Sequence, residues 1–149
     1  MGVYRFNDRE ERFVMNILCA GFSRVDVTPM MGIGLGGYFI TRIADGVLDP
    51  LEINALVLSC GEEKVVLISI DQCNLLTEVA NDFRKHISEV TGLPMEAIFL
   101  HATHTHTSPF INKDSDNELE QEYYRMVYRK MVDAAQLALA DLKPAQMGY

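Results

Sequence analysis

The sequence predicts an α/β protein: a mixed β-sheet with a hairpin and a βαβ unit, and with helices packed on the sheet. Two β-rich runs, residues 51–60 and 64–70, are separated by the turn residues Gly61-Glu62-Glu63, which is typical of a hairpin. An amphipathic helical stretch then leads into a further apolar run at residues 97–101. A strand, a helix and a strand of these lengths predict a right-handed crossover and parallel pairing.

The first predicted strand covers residues 17–27 and ends at Thr28-Pro29. Before it, residues 1–16 are expected to form a mobile N-terminal arm. After it, the chain is rich in glycine but has no GxGxxG pattern that leads into a helix. This composition favours a flexible loop packed close to another backbone over a phosphate-binding loop. Its glycines are Gly32, Gly34, Gly36 and Gly37.

The next elements are a buried strand and two helices. The run at residues 64–70 is almost continuously apolar, as expected of a strand covered on both faces. Apolar residues at spacings of three and four predict the following helix, with Asn74 as its N-cap and Gly92 as its C-cap. The second helix is predicted from about residue 117 to residue 142. We interpret its apolar stripe as core. The stripe consists of Tyr123, Val127, Met131, Ala134, Ala138 and Leu142.

Composition narrows the class of protein. A chain of 149 residues is long enough for one domain. Its net charge of −8 argues against nucleic-acid binding, which needs a basic face. The three cysteines form no CxxC-like pair, so neither a disulfide framework nor a cysteine metal site is predicted. No apolar run approaches the roughly 20 residues of a membrane span.

The apolar segment at residues 13–22 is short, lacks a small-x-small cleavage site and runs straight into a strand pattern, so we do not interpret it as a signal peptide. A cytoplasmic location is therefore expected, with secretion left open.

Three of the four histidines lie within six residues, at the end of the strand predicted at residues 97–101. Imidazole is the commonest protein ligand for metals and the usual acid or base near neutral pH. Side chains two apart on an extended chain point the same way, so His104 and His106 are expected to face one site and His101 to face away. A catalytic zinc takes three protein ligands and keeps a fourth position for water. The alternative is that both imidazoles bind the loop backbone. The fourth histidine, His86, is expected at the helix surface.

Asp71 is the other polar residue of interest, because it directly follows the buried strand at residues 64–70. Ligand sites in α/β sheets lie at the carboxyl ends of strands. We therefore expect Asp71 along the same edge as the histidines. There it would either orient an imidazole or satisfy free amides at a helix N-terminus.

The histidine segment resembles a known motif. Residues 103–109 read Thr-His-Thr-His-Thr-Ser-Pro, which is similar to the THTHSGP motif of the neutral/alkaline, non-lysosomal ceramidases. Asp26-Val27-Thr28-Pro29 resembles the D-I-T-P end of that family's opening strand, and Ser69-Ile70-Asp71 resembles its S-x-D strand. Gly37-Tyr38, followed by Arg42, Gly46-Val47 and Asp49-Pro50-Leu51, matches the family's glycine loop and the segment that leads from an arginine into the next strand. The resemblance covers roughly residues 18–149.

The resemblance implies an amidohydrolase with one catalytic zinc ion. It implies that His104 ligates the zinc and that His106 lies beside the metal, where it binds or polarises the substrate amide. A zinc-activated water would then cleave an N-acyl sphingoid, or a related lipid or small-molecule amide, into an acid and an amine. No family role carries over to His101.

Two departures from the family matter. The family reads Ser-Gly-Pro after the histidines, whereas this chain has Thr107-Ser108-Pro109. The family's later zinc ligands, a histidine, a glutamate and a tyrosine, have no counterpart here. We therefore expect residues 17–149 to be the N-terminal portion of a ceramidase-like hydrolase domain that is inactive alone.

Three functions stay open at this point. The first is a zinc-dependent hydrolase of a linear amide bond, active in the full-length protein. The alternative is a non-catalytic, truncated or diverged relative that acts as a binding or assembly module. The third is a stand-alone hydrolase that uses Asp71 with the histidines. A partial domain would also expose an unpaired sheet edge, so a homo-oligomer formed through that edge is among the expectations.

Overall fold

The computed structural model describes residues 17–148 and confirms the α/β class. The predicted arm at residues 1–16 lies outside the described residues. Five strands form one mixed sheet, and two short strands form a separate ribbon. The strands are β1 (Leu18–Asp26), β2 (Gly34–Leu35), β3 (Arg42–Ile43), β4 (Glu52–Cys60), β5 (Glu63–Ile70), β6 (Ile98–Ala102) and β7 (Lys143–Pro144).

The order of strands in the main sheet is β6-β5-β4-β1-β7. The predicted hairpin is confirmed, because β4 and β5 pair antiparallel up to Cys60 and Glu63. The predicted parallel pairing is also confirmed, because β5 and β6 pair parallel with Val66 opposite Ile98, while the right-handedness of the crossover stays a prediction. Strand β2 pairs with β3, so part of the glycine-rich stretch is a short ribbon rather than a free loop.

Two helices, α1 (Thr77–Thr91) and α2 (Glu118–Ala140), pack against each other and against the sheet. The apolar stripe of α2 is core as predicted, since Tyr123, Val127 and Met131 are fully buried. The side chain of Asn117 accepts hydrogen bonds from the first amides of α2 and is its N-cap, as expected of that residue type. Gly92 ends α1 with a φ of 74°, which glycine adopts without strain.

The predicted N-cap of α1 is wrong. The helix begins at Thr77, its N-cap position is Leu76, and no side chain caps it. The reason lies in the preceding loop, where Gln72 and Cys73 are buried beneath the histidine segment and Asn74 is exposed. The chain therefore leaves this buried loop before it turns into the helix.

The prediction that residues 64–70 are covered on both faces is also wrong. Val65 is 44% exposed and Leu67 is 38% exposed, whereas Val66 and Ile68 are buried. The cause is that both described helices pack on the face to which Val66 and Ile68 belong. Within residues 17–148 nothing covers the other face, on which Phe22 and Phe99 are about 60% exposed. An apolar sheet face of this kind is typical of part of a larger domain.

The two edges of the described sheet are β6 and the two-residue strand β7. Self-association through such an edge stays a prediction. No helix within residues 17–148 is both long enough and apolar enough to cross a bilayer.

Candidate metal centre

The loops that follow β5 and β6 are joined by hydrogen bonds at the carboxyl edge of the sheet. The amide of Thr103 donates to the carbonyl of Ile70 at 3.0 Å, and the amide of His104 donates to the carbonyl of Gln72 at 2.9 Å. The pairing of the two parallel strands thus continues past their ends. As expected, this places the segment after Asp71 beside the histidine segment.

His104 and His106 face one site, but not for the reason that the sequence suggests. Strand β6 ends at Ala102, and His104 has a φ of 64°, so the segment is not extended. A positive φ is uncommon for a residue with a Cβ, and such residues concentrate at functional sites. This turn brings the two Nε2 atoms to 3.5 Å and sets the rings nearly perpendicular.

The ring tautomer of His104 follows from its hydrogen-bond partner. Its Nδ1 atom lies 2.5 Å from the main-chain carbonyl oxygen of Cys73. A carbonyl oxygen only accepts, so Nδ1 carries the proton and donates. In the neutral imidazole, Nε2 then presents a free lone pair toward His106. This arrangement is usual for metal-binding histidines, whose second ring nitrogen donates to a carbonyl or carboxylate.

Cys73 is the functional candidate that the sequence does not reveal. One ligand atom from each of Cys73, His104 and His106 lies within 4.8 Å of the others. The cysteine is buried, His106 is half-buried and His104 is exposed, so the cluster opens toward solvent on one side. Cys73 precedes His104 by 31 residues, a separation that forms no short metal-binding motif. The only available signal was its place two residues after Asp71.

The glycine-rich stretch forms a wall of this cluster. A Cβ on Gly37 would lie 2.6 Å from Nδ1 of His106 and 3.0 Å from Sγ of Cys73, so the backbone approaches as closely as it can. The ring of Tyr38 meets that of His106 edge-on at 5.4 Å, and the guanidinium of Arg42 lies 4.3 Å above the ring of Tyr38. The glycine loop is therefore closely packed, as predicted, but against the side chains of His106 and Cys73 rather than against another backbone.

Asp71 lies at the same edge, and its carboxylate bonds to a main-chain amide and a threonine hydroxyl rather than to an imidazole. Its Oδ2 atom accepts from the amide of Glu52 at 2.9 Å, and its Oδ1 atom accepts from the hydroxyl of Thr103 at 3.0 Å. Neither of these bonds involves a histidine, and the group that orients His104 is the carbonyl of Cys73. Asp71 therefore supports His104 through the neighbouring Thr103.

The other two histidines lie elsewhere. His101 bonds to Ser69 at 3.3 Å and lines a cleft of about 690 Å³ on the uncovered face of the sheet. This separation from His104 and His106 agrees with the sequence prediction. His86 stacks on the ring of Tyr128 at 4.1 Å. This cleft therefore contains none of the three clustered donors, which are Cys73, His104 and His106.

The buried side chain of Gln72 connects the site to helix α2. The Nε2 atom of Gln72 donates to the hydroxyl of Tyr123 at 2.7 Å, and both residues are buried. Burial raises the pKa of Tyr123, so its hydroxyl stays neutral. The main-chain carbonyl of Gln72 accepts from the main-chain amide of His104. The bond between Gln72 and Tyr123 therefore anchors the histidine segment to α2.

A second cleft, of about 410 Å³, lies along the same edge as the cluster. Asp71, Thr105 and Thr107 line one side of it, and residues 42–51 form much of the rest. Large apolar side chains that line it are exposed, and Leu48 is almost fully so. The exposed large apolar residues of this rim are Met31, Ile43, Val47 and Leu48.

No protein-family model matches the chain, and no curated protein sequence does. Solved structures do match. Neutral ceramidase from Pseudomonas aeruginosa aligns with a TM-score of 0.75 at 19% identity, over 87% of this chain and 22% of that chain. A ceramidase complexed with C2 aligns with a TM-score of 0.73 at 18% identity, over the same shares of the two chains.

This chain therefore spans about a fifth of the length of the ceramidase chains that it matches. At this identity the likeness establishes the fold, and it agrees with the resemblance in the histidine motif. The chain has the fold of part of a neutral ceramidase.

Proposed function

We propose that the chain is part of a ceramidase-like, zinc-dependent hydrolase that cleaves the linear amide bond of an N-acyl sphingoid or a related lipid amide. The observation that carries this proposal is the arrangement of His104. Its Nδ1 atom is held by a carbonyl, and its Nε2 atom faces His106 at the carboxyl edge of the sheet. The ceramidase fold of the chain supports the same reaction class.

The described side chains fit a zinc ion. Imidazole nitrogen and thiolate sulfur are the donors that zinc prefers, and a Gly37 backbone without a side chain leaves room between them. Zinc bound there would supply a Lewis acid and an activated water for attack on an amide carbonyl. In this proposal His104 holds the metal, and His106 lies beside it and polarises the substrate amide.

The surroundings of the cluster support a substrate with an apolar chain. The rim defined above exposes four large apolar residues along a cleft of about 410 Å³. An apolar surface of this kind marks a site for a ligand, a membrane or a protein partner. Threonine hydroxyls at Thr105 and Thr107 line the cleft and would bind the polar end of the substrate. A lipid amide combines both features.

The alternative, a non-catalytic binding or assembly module, is not favoured. A module that had lost the reaction would have no need of the strained backbone at His104 or of a Gly37 backbone closely packed against His106. The positive φ of His104 costs conformational free energy, and both features place donor atoms.

The proposal is tested by amide cleavage. We expect the full-length protein to hydrolyse a fluorescent N-acyl sphingosine, and we expect removal of zinc with a chelator to abolish the release of the fluorescent product. Added zinc should restore it. His101→Ala serves as the control and should change the rate by no more than about twofold, because His101 lies on the other face of the sheet. Cleavage that persists in full with chelator present, or no cleavage at all, contradicts the proposal.

A further inference from the structure

His106 lacks the kind of hydrogen bond that fixes the other imidazole of the cluster. The Nδ1 atom of His104 is held by the carbonyl of Cys73, whereas the only hydrogen-bond partner of His106 within residues 17–148 is Nε2 of His104, at 3.5 Å. The torsion that turns a histidine ring is broad, so a ring without an anchoring acceptor is oriented mainly by packing. The direction of the His106 nitrogens therefore depends on the side chains and backbone around the ring.

The aromatic ring that packs on His106, besides His104, is that of Tyr38. We propose that Tyr38 is a positioning residue, whose ring holds the imidazole of His106 in the orientation that directs a nitrogen at the substrate amide. The two ring centroids are 5.4 Å apart, and the rings are nearly perpendicular. Aromatic pairs prefer this arrangement, so the contact stabilises one relative orientation. The inference rests on the proposed function, in which His106 polarises the amide.

The segment that carries Tyr38 is fixed relative to the histidine segment. Tyr38 lies between β2 and β3, and the amide of Gly36 donates to the carbonyl of Ser108 at 2.8 Å. Gly36 is two residues before Tyr38, and Ser108 is two residues after His106. The backbone between them approaches closely, since a Cβ on Gly37 would lie 2.6 Å from Nδ1 of His106. Backbone and the ring of Tyr38 therefore both confine the imidazole.

Arg42 holds Tyr38 in turn. Its guanidinium carbon lies 4.3 Å from the centroid of the Tyr38 ring, which is within the range of a cation–π interaction. Arg42 begins β3 and pairs with Leu35 of β2, so its backbone belongs to the ribbon. Among the described residues the hydroxyl of Tyr38 has no hydrogen-bond partner, so the ring makes these contacts and the hydroxyl does not. Tyr38 is 47% exposed and lies outside the core, so its replacement leaves the fold intact.

An orienting role of this kind acts on the transition state. A hydrogen-bond donor stabilises a developing oxyanion only when it lies about 2.7–3.1 Å from the position of that oxygen. An imidazole that turns more freely holds its nitrogen there for a smaller part of the time, and a misplacement of about 1 Å can cost about 100-fold in rate. Loss of the Tyr38 ring should therefore lower kcat and leave KM, because the missing interaction is made only in the transition state.

Kinetics of the full-length protein on a fluorescent N-acyl sphingosine test the inference. Tyr38→Leu should lower kcat by about 10- to 100-fold and change KM by no more than about twofold. Tyr38→Phe should keep kcat within about twofold of the wild type, because it retains the ring that contacts His106 and Arg42. Phe39→Leu is the matched control and should change neither constant, since Phe39 is fully exposed in the same segment. Zinc bound per chain should be equal in the wild type and all three variants.

Nuclear magnetic resonance tests the contact itself without activity. In the zinc-free protein with isotope-labelled histidine, the ring current of Tyr38 displaces the Cε1–Hε1 signal of His106, which His106→Gln identifies by removing it. Tyr38→Leu should shift this signal, because the ring that displaces it is gone. Tyr38→Phe should leave it close to its wild-type position.

The outcomes separate this inference from the proposed function. Chelator-sensitive cleavage with equal kcat in the wild type and Tyr38→Leu overturns the role of Tyr38 and leaves the proposed function standing. A His106 signal that Tyr38→Leu does not shift also overturns it, as does a Tyr38→Phe protein as slow as Tyr38→Leu. Loss of zinc in proportion to the loss of kcat would place the effect at the metal instead of at His106 and overturn it too. A wild-type protein that cleaves nothing overturns the proposed function, and this inference with it.

Discussion

Gly37→Ala is expected to lower the zinc affinity of the protein by about 10- to 100-fold, the range seen when residues that support metal ligands are changed. The added methyl group would lie 2.6 Å from Nδ1 and 2.7 Å from Cγ of His106, which is closer than any stable contact. His106 and Cys73 must then move apart, which displaces the carbonyl of Cys73 that holds His104. The positive φ of Gly37 adds about 1–2 kcal/mol of strain.

Isothermal titration with zinc measures this loss. The control is Gly46→Ala, in a neighbouring loop where a Cβ meets nothing within 4 Å. That variant should bind zinc like the wild type. If Gly37→Ala were to bind zinc as tightly as Gly46→Ala, the donors would not depend on the close approach of the glycine loop.

Gly21→Ala should destabilise the whole fold, by about 3 kcal/mol or more. Gly21 lies in β1 directly beneath the end of α2, and a Cβ there would be 2.0 Å from the carbonyl oxygen of Ala138 and 2.9 Å from the amide of Leu142. These are backbone atoms and cannot rotate away. The strand must separate from the helix, or the last turn of the helix must unwind.

Thermal unfolding monitored by circular dichroism tests this expectation, and the midpoint should fall by roughly 10 °C. The matched control is Gly34→Ala, another strand glycine, where the nearest atom to a Cβ is a carboxylate oxygen of Glu120 at 3.9 Å. Equal unfolding midpoints for the two variants would show that β1 and α2 are less closely packed than the structure has them.

The main sheet could be predicted from sequence because its elements are signalled locally. The turn residues at Gly61 predict the hairpin, and apolar residues at helical spacing between β5 and β6 predict the crossover. The uncovered face could not be predicted, because Val65 and Leu67 look the same in sequence whether a second layer covers them or not. Burial on that face depends on what packs there, and the sequence pattern of a single strand does not carry this information.

The candidate site was predicted in part. The cluster of histidines and its position at a strand end identified His104 and His106, and strand geometry correctly separated His101. The turn at His104 was not foreseen, because a positive φ in a non-glycine residue has no reliable sequence signal. Cys73 was missed for a different reason. It meets the histidines only through the parallel pairing of β5 and β6, across 31 residues.

Zinc bound per chain, measured by mass spectrometry on the purified full-length protein, tests the central claim that His104 holds a metal ion. The wild type and His101→Ala should each retain about one zinc ion per chain, because His101 lies on the other face of the sheet. His104→Ala should retain little or none, since the lone pair that faces His106 is gone. Equal zinc content in the wild type and His104→Ala would contradict the account.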